Sequence, residues 1–262
     1  VEYLARAFVQ SGEQSWRRAC ERGFDFILQA QYANGGFPQR FPTRAGYHAH
    51  ITFNDGVMIG ILDLLQDASE QKPHFEWLDD ARREAAARAV RSAIDCILTC
   101  QIRVNGIRTG WCQQHDEHTL EASSARTFEL ASICPQETAD IVRFLMRQPT
   151  VDAQVLAATD AAIAWLRQVQ LPGIRVERVK ARAEKFLRHT VDYDIVVVPD
   201  KDARPIWARH YEIGTNSPVF AGRDGIRKYS LAEIERERRT GTLWYGYWPE
   251  ELLNGSYATW RR

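Results

Sequence analysis

The chain has 262 residues, and 45% of them are hydrophobic, so it is long enough to bury a core as one domain. Its 34 basic residues balance its 34 acidic residues, which excludes attraction to nucleic acid or to an anionic membrane surface by net charge alone. No apolar run approaches the roughly 20 residues of a membrane-spanning helix. We expect neither nucleic acid nor a membrane as a partner, and an acidic ligand would have to be bound by local arginines.

Six helices in three pairs are predicted along the first two thirds of the chain, because apolar residues recur there at spacings of three and four. The pairs are 2–10 with 14–31, 54–67 with 79–101, and 136–147 with 151–170. The longer helix of each pair ends in a related segment, "FDFILQAQ", "IDCILTCQ" or "IAWLRQVQ", and a glycine-containing turn follows it. This repeat predicts a mainly α fold, in which three helical hairpins form a toroid-like or solenoid array.

The pattern changes after residue 174, where strands are predicted at 174–181, 193–200 and 227–231 between turns rich in Gly, Pro and Asp. The segment "SLAE" is a capping box, which predicts one last helix over about 231–240. This C-terminal part with short β-strands is too poor in apolar runs to fold alone. We therefore expect a single domain over 1–262.

The loop after the first hairpin ends in "YHAHITFNDGVM", which puts polar residues directly before a helix. Asn54 has an ordinary structural explanation, because asparagine is favoured at the N-cap. That explanation does not extend to His48 and His50. Two histidines at this spacing would face one side of a strand, but no third histidine or cysteine nearby completes a zinc site, so zinc is disfavoured. Because both long helices end at glycine turns, we expect this loop and the next to line one cleft.

The loop after the second hairpin is dense in polar and aromatic side chains, since "GWCQQHDEHTLEASSARTFEL" contains Trp111, Asp116, Glu117 and Arg126. A solvated charged loop is the alternative interpretation, although such loops rarely carry Trp, Leu and Phe at this density. Carboxylates suit a hard cation such as Ca²⁺, so Asp55 together with an acid of this loop is a candidate calcium site. The spacing of the acids is not that of an EF-hand.

The C-terminal segment "PIWARHYEIGTNSPVFAGRDG" adds Trp207, Arg209, Tyr211 and Arg223. Arginine binds a carboxylate through two parallel hydrogen bonds, and aromatic faces stack on sugar rings. The alternative is that these arginines form structural ion pairs. Arginines and aromatic residues together indicate an acidic carbohydrate as the ligand.

The five cysteines form no metal-binding pattern. They are an odd number, and no C-x-x-C pair occurs among Cys20, Cys96, Cys100, Cys112 and Cys134. Cys96 and Cys100 lie in an apolar helical segment. We predict buried free thiols rather than disulfides or metal ligands.

Six stretches of the chain resemble the pectate lyases of polysaccharide lyase family 10. They are "QYANGGFPQRFP", "HITFNDGVM", "GWCQQHDEHTLEASSARTFELAS", "IVRFLM", "PIWARHYEIGTNSPVFAGRDG" and "IERERRTGTLWYGYWP", which follow one another over almost the whole chain. The resemblance implies an (α/α)₃ toroid and calcium-assisted β-elimination of polygalacturonate. It also implies a secreted or periplasmic bacterial enzyme, which we expect to be a monomer.

The resemblance assigns roles to particular residues. It implies that Arg126 in "ASSARTFEL" is the base, that Asp55 in "FND" is a calcium ligand and that Arg209 in "WAR" binds a substrate carboxylate. Arginine is a demanding base because its reference pKa is about 12 or higher, so positive neighbours would have to disfavour its charge. From the sequence pattern we expect further calcium ligands and further oligogalacturonate contacts. The ligands are Asp116 and Glu117, and the contacts are Arg223, His50, Asn54, Trp111 and Tyr211.

Two departures from the family pattern leave alternatives open. Family members have a segment with an "IDN" motif ahead of the position of Val1, and we expect this chain to lack that segment and its acid. Ala122 also stands where a proline is common. One alternative is therefore a toroid that binds oligogalacturonate without cleaving it. The other is an inverting glycoside hydrolase of toroid fold, with Asp55 and Asp116 as acid and base.

Overall fold

The computed structural model describes residues 1–42, 45–186 and 190–262. These residues form two compact units. The first contains Val1–Cys100 and His115–Leu120, and the second contains Gln101–Gln114 and Glu121–Arg262. Within the described residues no helix combines the length and the apolar character that crossing a membrane requires.

The first unit contains two of the predicted helical hairpins. Helix α1 (Glu2–Ser11) packs on α2 (Gln14–Ala30), and α3 (Val57–Ser69) packs on α4 (Asp80–Cys100). Helix α2 also contacts α4, so the two hairpins share one core. Before α3 lie a 3₁₀ turn (Gly46–His48) and the short strand β1 (Ile51–Thr52). The predicted helices are confirmed here, with one change at the start of α3.

That change concerns residues 54–56, which form a separate 3₁₀ turn instead of the first turn of the helix. Asp55 has φ 55° and Gly56 has φ 67°, and these left-handed conformations cannot continue a right-handed helix. Gly56 therefore occupies the N-cap of α3. The Asn54 side chain accepts a hydrogen bond from the Asp55 N–H at 2.9 Å, so the N-cap interpretation of Asn54 was wrong.

The second unit contains the third hairpin and the strands. The hairpin consists of α5 (Pro135–Met146) and α6 (Ala153–Gln168). The short strands before it are β2 (Arg103–Val104), β3 (Ile107–Arg108) and β5 (Ala122–Ser123). Strand β4 (Gln114–His115) has one residue in each unit. Strands β6 (Ile174–Lys185) and β7 (Thr190–Pro199) then form a long antiparallel ribbon. The ribbon confirms the first two predicted strands, and both are longer than predicted.

Shorter elements complete this unit. They are β8 (Trp207–Ala208), β9 (Phe220–Ala221), β10 (Arg227–Lys228), α7 (Arg236–Gly241), β11 (Tyr245–Gly246), a π-helix (Leu252–Ser256) and α8 (Tyr257–Trp260). The capping box at Ser230 is confirmed, but it caps only a 3₁₀ turn (Leu231–Glu233). Ile234 and Glu235 are extended, with ψ 158° and 147°, so the single helix predicted over 231–240 is broken there.

The C-terminal part is packed on the third hairpin. The Tyr211 hydroxyl donates to the Val169 carbonyl at 2.7 Å, and the Trp207 indole N–H donates to the Leu166 carbonyl at 2.9 Å. Trp165 meets the Tyr211 ring edge to face, with centroids 5.7 Å apart. All five cysteines are buried free thiols, which confirms that prediction.

Equivalent glutamines anchor the loops after α2 and α4. In the first unit, Gln31 Nε2 donates to the carbonyls of Gly35 and Ala89, at 3.0 and 2.8 Å. In the second, Gln101 Nε2 donates to the carbonyls of Thr109 and Ala158, both at 2.8 Å. Each glutamine therefore ties its own loop to the long helix of the following hairpin, and the repeat seen in sequence is also a repeat of hydrogen bonds.

Candidate active site

Three side chains of the first unit form what we call the acid cluster, which consists of His50, Asp116 and Glu117. Their potential ligand atoms all lie within 4.8 Å of one another. His50 Nδ1 is 3.0 Å from Glu117 Oε2, and Asn34 Nδ2 donates to the Glu117 carbonyl at 2.8 Å. The loop before β1 thereby holds the turn that carries the two acids.

The conformation of residues 115–120 follows from local hydrogen bonds. Asp116 Oδ1 accepts from the N–H groups of His118 and Thr119, at 2.9 and 2.8 Å, as aspartate does in tight turns. His115 closes the turn, because its Nδ1 is 2.9 Å from the Leu120 carbonyl. Burial lowers the pKa of His115 to about 4, so its ring is neutral near pH 7 and has a structural role.

Both acids of the cluster favour the ionised form that a cation requires. The N–H groups of Thr119 and His118 lower the pKa of Asp116. Burial opposes the charge of Glu117, but the hydrogen bond from His50 and its attraction outweigh burial, so this pKa is also lowered. Two carboxylates are donors that Ca²⁺ prefers, whereas the His50 nitrogen is not, so Asp116 and Glu117 are the members of the cluster that fit the cation implied by the family resemblance.

Asp55 stands apart from the acid cluster. Its carboxylate is exposed and is not among the three groups whose ligand atoms lie together. Its positive φ holds it on the short turn that precedes α3. The predicted calcium set of Asp55, Asp116 and Glu117 is thus only partly assembled, and His50, which was predicted as a substrate contact, takes the third position.

A cavity of about 420 Å³ in the second unit is lined by all three arginines that were predicted as site residues, and we call it the arginine pocket. Four arginines and two glutamates line it, so its lining carries a net positive charge. The lining residues are Arg126, Phe128, Glu129, Arg209, His210, Arg223, Glu237, Arg238 and Gly241 to Leu243.

Arg126 is held by Glu129 within one tight turn. Its Nε donates to Glu129 Oε2 at 2.7 Å and its Nη2 to Oε1 at 2.5 Å, and its Cζ lies 5.1 Å from the centre of the Phe128 ring. The Arg126 side chain is 46% exposed, whereas that of Glu129 is 8% exposed. The buried carboxylate therefore fixes a guanidinium that still faces the pocket.

Arg238 is the most buried arginine of the pocket. Its Nη2 donates to the Gly241 carbonyl and the Thr242 hydroxyl, and its Cζ lies 4.0 Å from the centre of the Phe128 ring. Burial lowers the pKa of Arg238, and the charges of Arg223 and Arg126 lower it further. By the same Coulomb interaction, Arg238 disfavours the positive charge of Arg126.

The other two arginines differ in their partners. Arg223 forms two hydrogen bonds with Glu237, at 2.6 and 2.5 Å. Arg209 donates from Nη1 to Gln136 Oε1 at 3.3 Å, and its Nη2 is 3.9 Å from Glu137 Oε1. Paired arginines of this kind present a fixed array of N–H donors, which suits carboxylate groups on a ligand.

His210 belongs to the wall of the pocket. Burial, together with the charge of Arg209, lowers the pKa of His210 to about 3. Its Nδ1 lies 2.9 Å from Ser132 Oγ and 3.4 Å from Cys134 Sγ. A neutral, fully enclosed imidazole is a packing group here, and it adds no charge to the pocket.

Comparison with known proteins identifies the family. The family model of pectic acid lyases matches residues 1–253. The chain belongs to this family. No curated protein matches the chain.

Two solved structures of the family resemble the whole chain. One is the family 10 polysaccharide lyase from Cellvibrio cellulosa, which is 30% identical, with a TM-score of 0.86 over 98% of this chain and 76% of that one. The other is an aspartate-to-alanine mutant of the Cellvibrio lyase in complex with trigalacturonic acid, also 30% identical, with a TM-score of 0.85 over 98% of this chain and 77% of that one. The chain is therefore similar to family 10 polysaccharide lyases over almost its full length.

The structure places the predicted site residues in different surroundings. Arg126, which was predicted as the base, and Arg209 and Arg223, which were predicted as substrate contacts, all line the arginine pocket. Trp111 and Tyr211 are fully buried, so their rings offer no face for a sugar to stack on. Asn54 is 5% exposed and lies in the core of its turn. For these three residues the predicted substrate contact is replaced by a structural role.

Arg238 and Glu237 were not predicted as site residues. Both lie in "IERERRTG", where alternating charges are typical of a solvated helix face. Their position in the pocket depends on α7, which is only six residues long and whose packing no local pattern indicates. Glu129 was visible in the family motif "ASSARTFEL", three residues after Arg126, and this spacing is the signal that points to the ion pair.

Proposed function

We propose that this member of the pectic acid lyase family is a pectate lyase, which cleaves polygalacturonate by calcium-assisted β-elimination with Arg126 as the base. The observation that carries the proposal is the convergence of Arg126, Arg209 and Arg223 on one cavity of the second unit. The trigalacturonic acid bound by the related Cellvibrio mutant supports an oligogalacturonate as the ligand. The toroid arrangement of the three hairpins is part of the same proposal.

Substrate binding follows from charge and geometry. Each galacturonate unit carries a carboxylate, and a guanidinium binds it through two parallel hydrogen bonds. Arg209 and Arg223 supply such groups from the wall of the pocket, whose net charge attracts a polyanion. In this proposal Arg209 binds one substrate carboxylate, and Arg223 binds another.

Arg126 accepts the proton in the proposed elimination. The C5–H bond breaks and its proton moves to Arg126, a double bond forms between C4 and C5, and the C4–O bond breaks. The leaving oxygen takes a proton from water. A guanidine must be neutral to act as a base, and Glu129 favours the charged form. Arg238 favours the neutral form through repulsion, so the two neighbours oppose one another.

Ca²⁺ is the proposed cofactor, and Asp116 and Glu117 would hold it, with Asp55 as the ligand that the family resemblance adds. When bound, the ion neutralises a uronate carboxylate and makes the neighbouring C5 proton more acidic. Here His50 orients the Glu117 carboxylate through their 3.0 Å contact, and the turn amides fix Asp116. Secretion or periplasmic location and a monomeric state are proposed from the resemblance as well.

An assay of product chemistry tests the proposal. The protein is incubated with polygalacturonate and Ca²⁺, and the ultraviolet absorbance of an unsaturated product is followed beside the reducing ends. We expect both signals to rise together and to stop when a chelator removes Ca²⁺. Reducing ends without absorbance would indicate hydrolysis by acids such as Asp55 and Asp116, which the lyase family argues against.

A second candidate function is binding of oligogalacturonate without cleavage. One observation favours it: the two hydrogen bonds from Arg126 to Glu129 stabilise the guanidinium, which cannot accept a proton. A protein of this kind would bind trigalacturonate in calorimetry and would release no product from polygalacturonate at any Ca²⁺ concentration.

A further inference from the structure

A buried carboxyl group lies behind the arginine pocket and belongs to none of the assigned roles. Glu137 is 2% exposed and lies in the first turn of α5. Its Oε1 accepts a hydrogen bond from Gln113 Nε2 at 3.1 Å. Its Oε2 is buried and accepts no hydrogen bond from any residue that the structure describes. Burying a carboxyl group with an unsatisfied oxygen lowers the stability of a fold, so such a group needs a structural or functional explanation.

Three features compensate the charge of Glu137. The first turn of a helix favours an anion, Gln113 donates to one oxygen, and Arg209 Nη2 lies 3.9 Å from that same oxygen. Burial and the charge of Asp140 act in the opposite direction, so the pKa of Glu137 is raised. Glu137 also acts on the thiols of Cys112 and Cys134, because its charge opposes their ionisation.

Arg209 in turn depends on Glu137. Its side chain is only 14% exposed, and its other contacts include Gln136, a neutral group. Removing one member of a buried ion pair leaves an uncompensated charge, which is strongly unfavourable. Without that carboxylate, the guanidinium loses a charged partner, and its present place in the pocket wall is less strongly favoured.

We propose that Glu137 is a positioning residue, which holds the Arg209 guanidinium in the pocket wall for a substrate carboxylate. The inference rests on the proposed function, in which Arg209 binds galacturonate. A preoriented side chain avoids the entropic cost of ordering it during binding, so the charge of Glu137 contributes to affinity without touching the ligand.

The test is a comparison of charge-removing variants. Glu137→Gln keeps the shape and the acceptor for Gln113 but removes the charge, and we expect it to weaken trigalacturonate binding by about tenfold in calorimetry with Ca²⁺. Asp140→Asn is the matched control, because Asp140 lies one turn further along α5, also has a raised pKa and pairs with Arg143 outside the pocket. The control should bind at least as tightly as the wild type does, because removing the Asp140 charge favours the ionised form of Glu137.

A double-mutant cycle separates positioning from general structural support. In an Arg209→Lys background, Glu137→Gln should change the affinity by less than about twofold, because the planar guanidinium that it positions is gone. An equal loss in both backgrounds, or unchanged or tighter binding by Glu137→Gln, would overturn the proposal. Glu137→Asp keeps the charge and should retain part of the affinity that Glu137→Gln loses.

The pH dependence gives an independent readout if Glu137→Gln folds poorly. Wild-type affinity for trigalacturonate should fall as the pH is lowered through the raised pKa of Glu137. Glu137→Asp should shift the pH at which the affinity falls. A profile that Glu137→Asp leaves unmoved would overturn the proposal. If the wild type neither binds trigalacturonate nor cleaves polygalacturonate, the proposed function itself has failed, which is a distinct result.

Discussion

The acid cluster and the arginine pocket are assembled in different ways. The acid cluster needs two short segments, and the backbone of its own turn holds Asp116. The arginine pocket draws on residues from 126 to 243. Arg126 has a partner three residues away, whereas Arg209 has one 73 residues away, in Gln136. The cluster concentrates negative charge, whereas each ion pair of the pocket is already partly neutralised. The turn that holds Asp116 is therefore formed locally, while bringing Arg126 and Arg209 into one pocket requires the folded second unit.

The largest expected effect on activity is at Arg126, which is proposed to accept the proton in the reaction. Arg126→Lys keeps a positive charge but changes the basicity, the geometry and the contact with Glu129, and we expect the elimination rate to fall by about 1,000-fold. Trigalacturonate affinity should change by only a few-fold. Initial rates from product absorbance and calorimetry measure the two quantities.

The matched control for Arg126 is Arg143→Lys. Arg143 also pairs with an acid three residues away, Asp140, but it lies on α5 outside the pocket. Its activity should equal that of the wild type. Retention of more than about a tenth of the rate in Arg126→Lys would contradict the assignment of the base.

The next effect concerns the acid cluster and its cation. Asp116→Asn keeps the acceptor for the two turn amides but removes the charge, so we expect the Ca²⁺ concentration for half-maximal activity to rise by about tenfold. High Ca²⁺ should restore the rate. Calcium titrations of activity and calorimetry of Ca²⁺ binding check this.

Asp152→Asn is a close control for Asp116. Asp152 Oδ1 accepts from the N–H groups two and three residues later, as Asp116 Oδ1 does, but at the start of α6. It should leave the Ca²⁺ response unchanged. Asp55→Ala sharpens the comparison, because a raised Ca²⁺ requirement would make Asp55 a ligand although it is not one of the three residues of the cluster. An unaltered response in Asp116→Asn would mean that the cluster is only a structural turn.

A smaller effect is expected where the two loops are anchored by glutamine. Gln101→Ala removes two buried hydrogen bonds and should lower the free energy of unfolding by about 2 kcal/mol, whereas the half-buried Gln31→Ala should lower it by about 1 kcal/mol. Urea unfolding measures both. Gln154→Ala, on an exposed face of α6, should have almost no effect. If both variants lose the same free energy of unfolding, the glutamine anchor stabilises the second unit no more than it stabilises the first.

The difference between local and long-range contacts also explains which features could be predicted from sequence. The hairpins were predictable because a helix leaves a periodic pattern, and Asp116 and Glu117 were found because a turn is local. Trp111 and Tyr211 were misread, since a buried aromatic and a sugar-stacking aromatic look alike in sequence.

Features that depend on tertiary packing left no local signal. The left-handed turn at Asp55 is an example, because a non-glycine residue rarely adopts that conformation. Glu137 and Arg238 are further examples. Their burial depends on segments distant in sequence, and a charged residue in a helical pattern is ordinarily solvated.

The smallest predicted effect lies in the contact that holds α7, which carries Glu237 and Arg238 to the pocket. Arg239 donates to Asp194 on β7 through Nε at 2.9 Å and Nη2 at 2.5 Å, and these bonds lower the pKa of Asp194. Because its folded-state pKa is below the unfolded value of about 3.9, the stabilisation is complete above that value and is lost as the pH falls through the folded pKa. Asp194→Asn should therefore lower the free energy of unfolding by about 1 kcal/mol at pH 7 and by less near pH 3. Asp192→Asn is the control on the same strand, since Asp192 is 73% exposed and 4.0 Å from Arg178, and it should change stability at neither pH. A pH-independent loss in Asp194→Asn would mean that packing, and not this ion pair, holds α7 beside the ribbon.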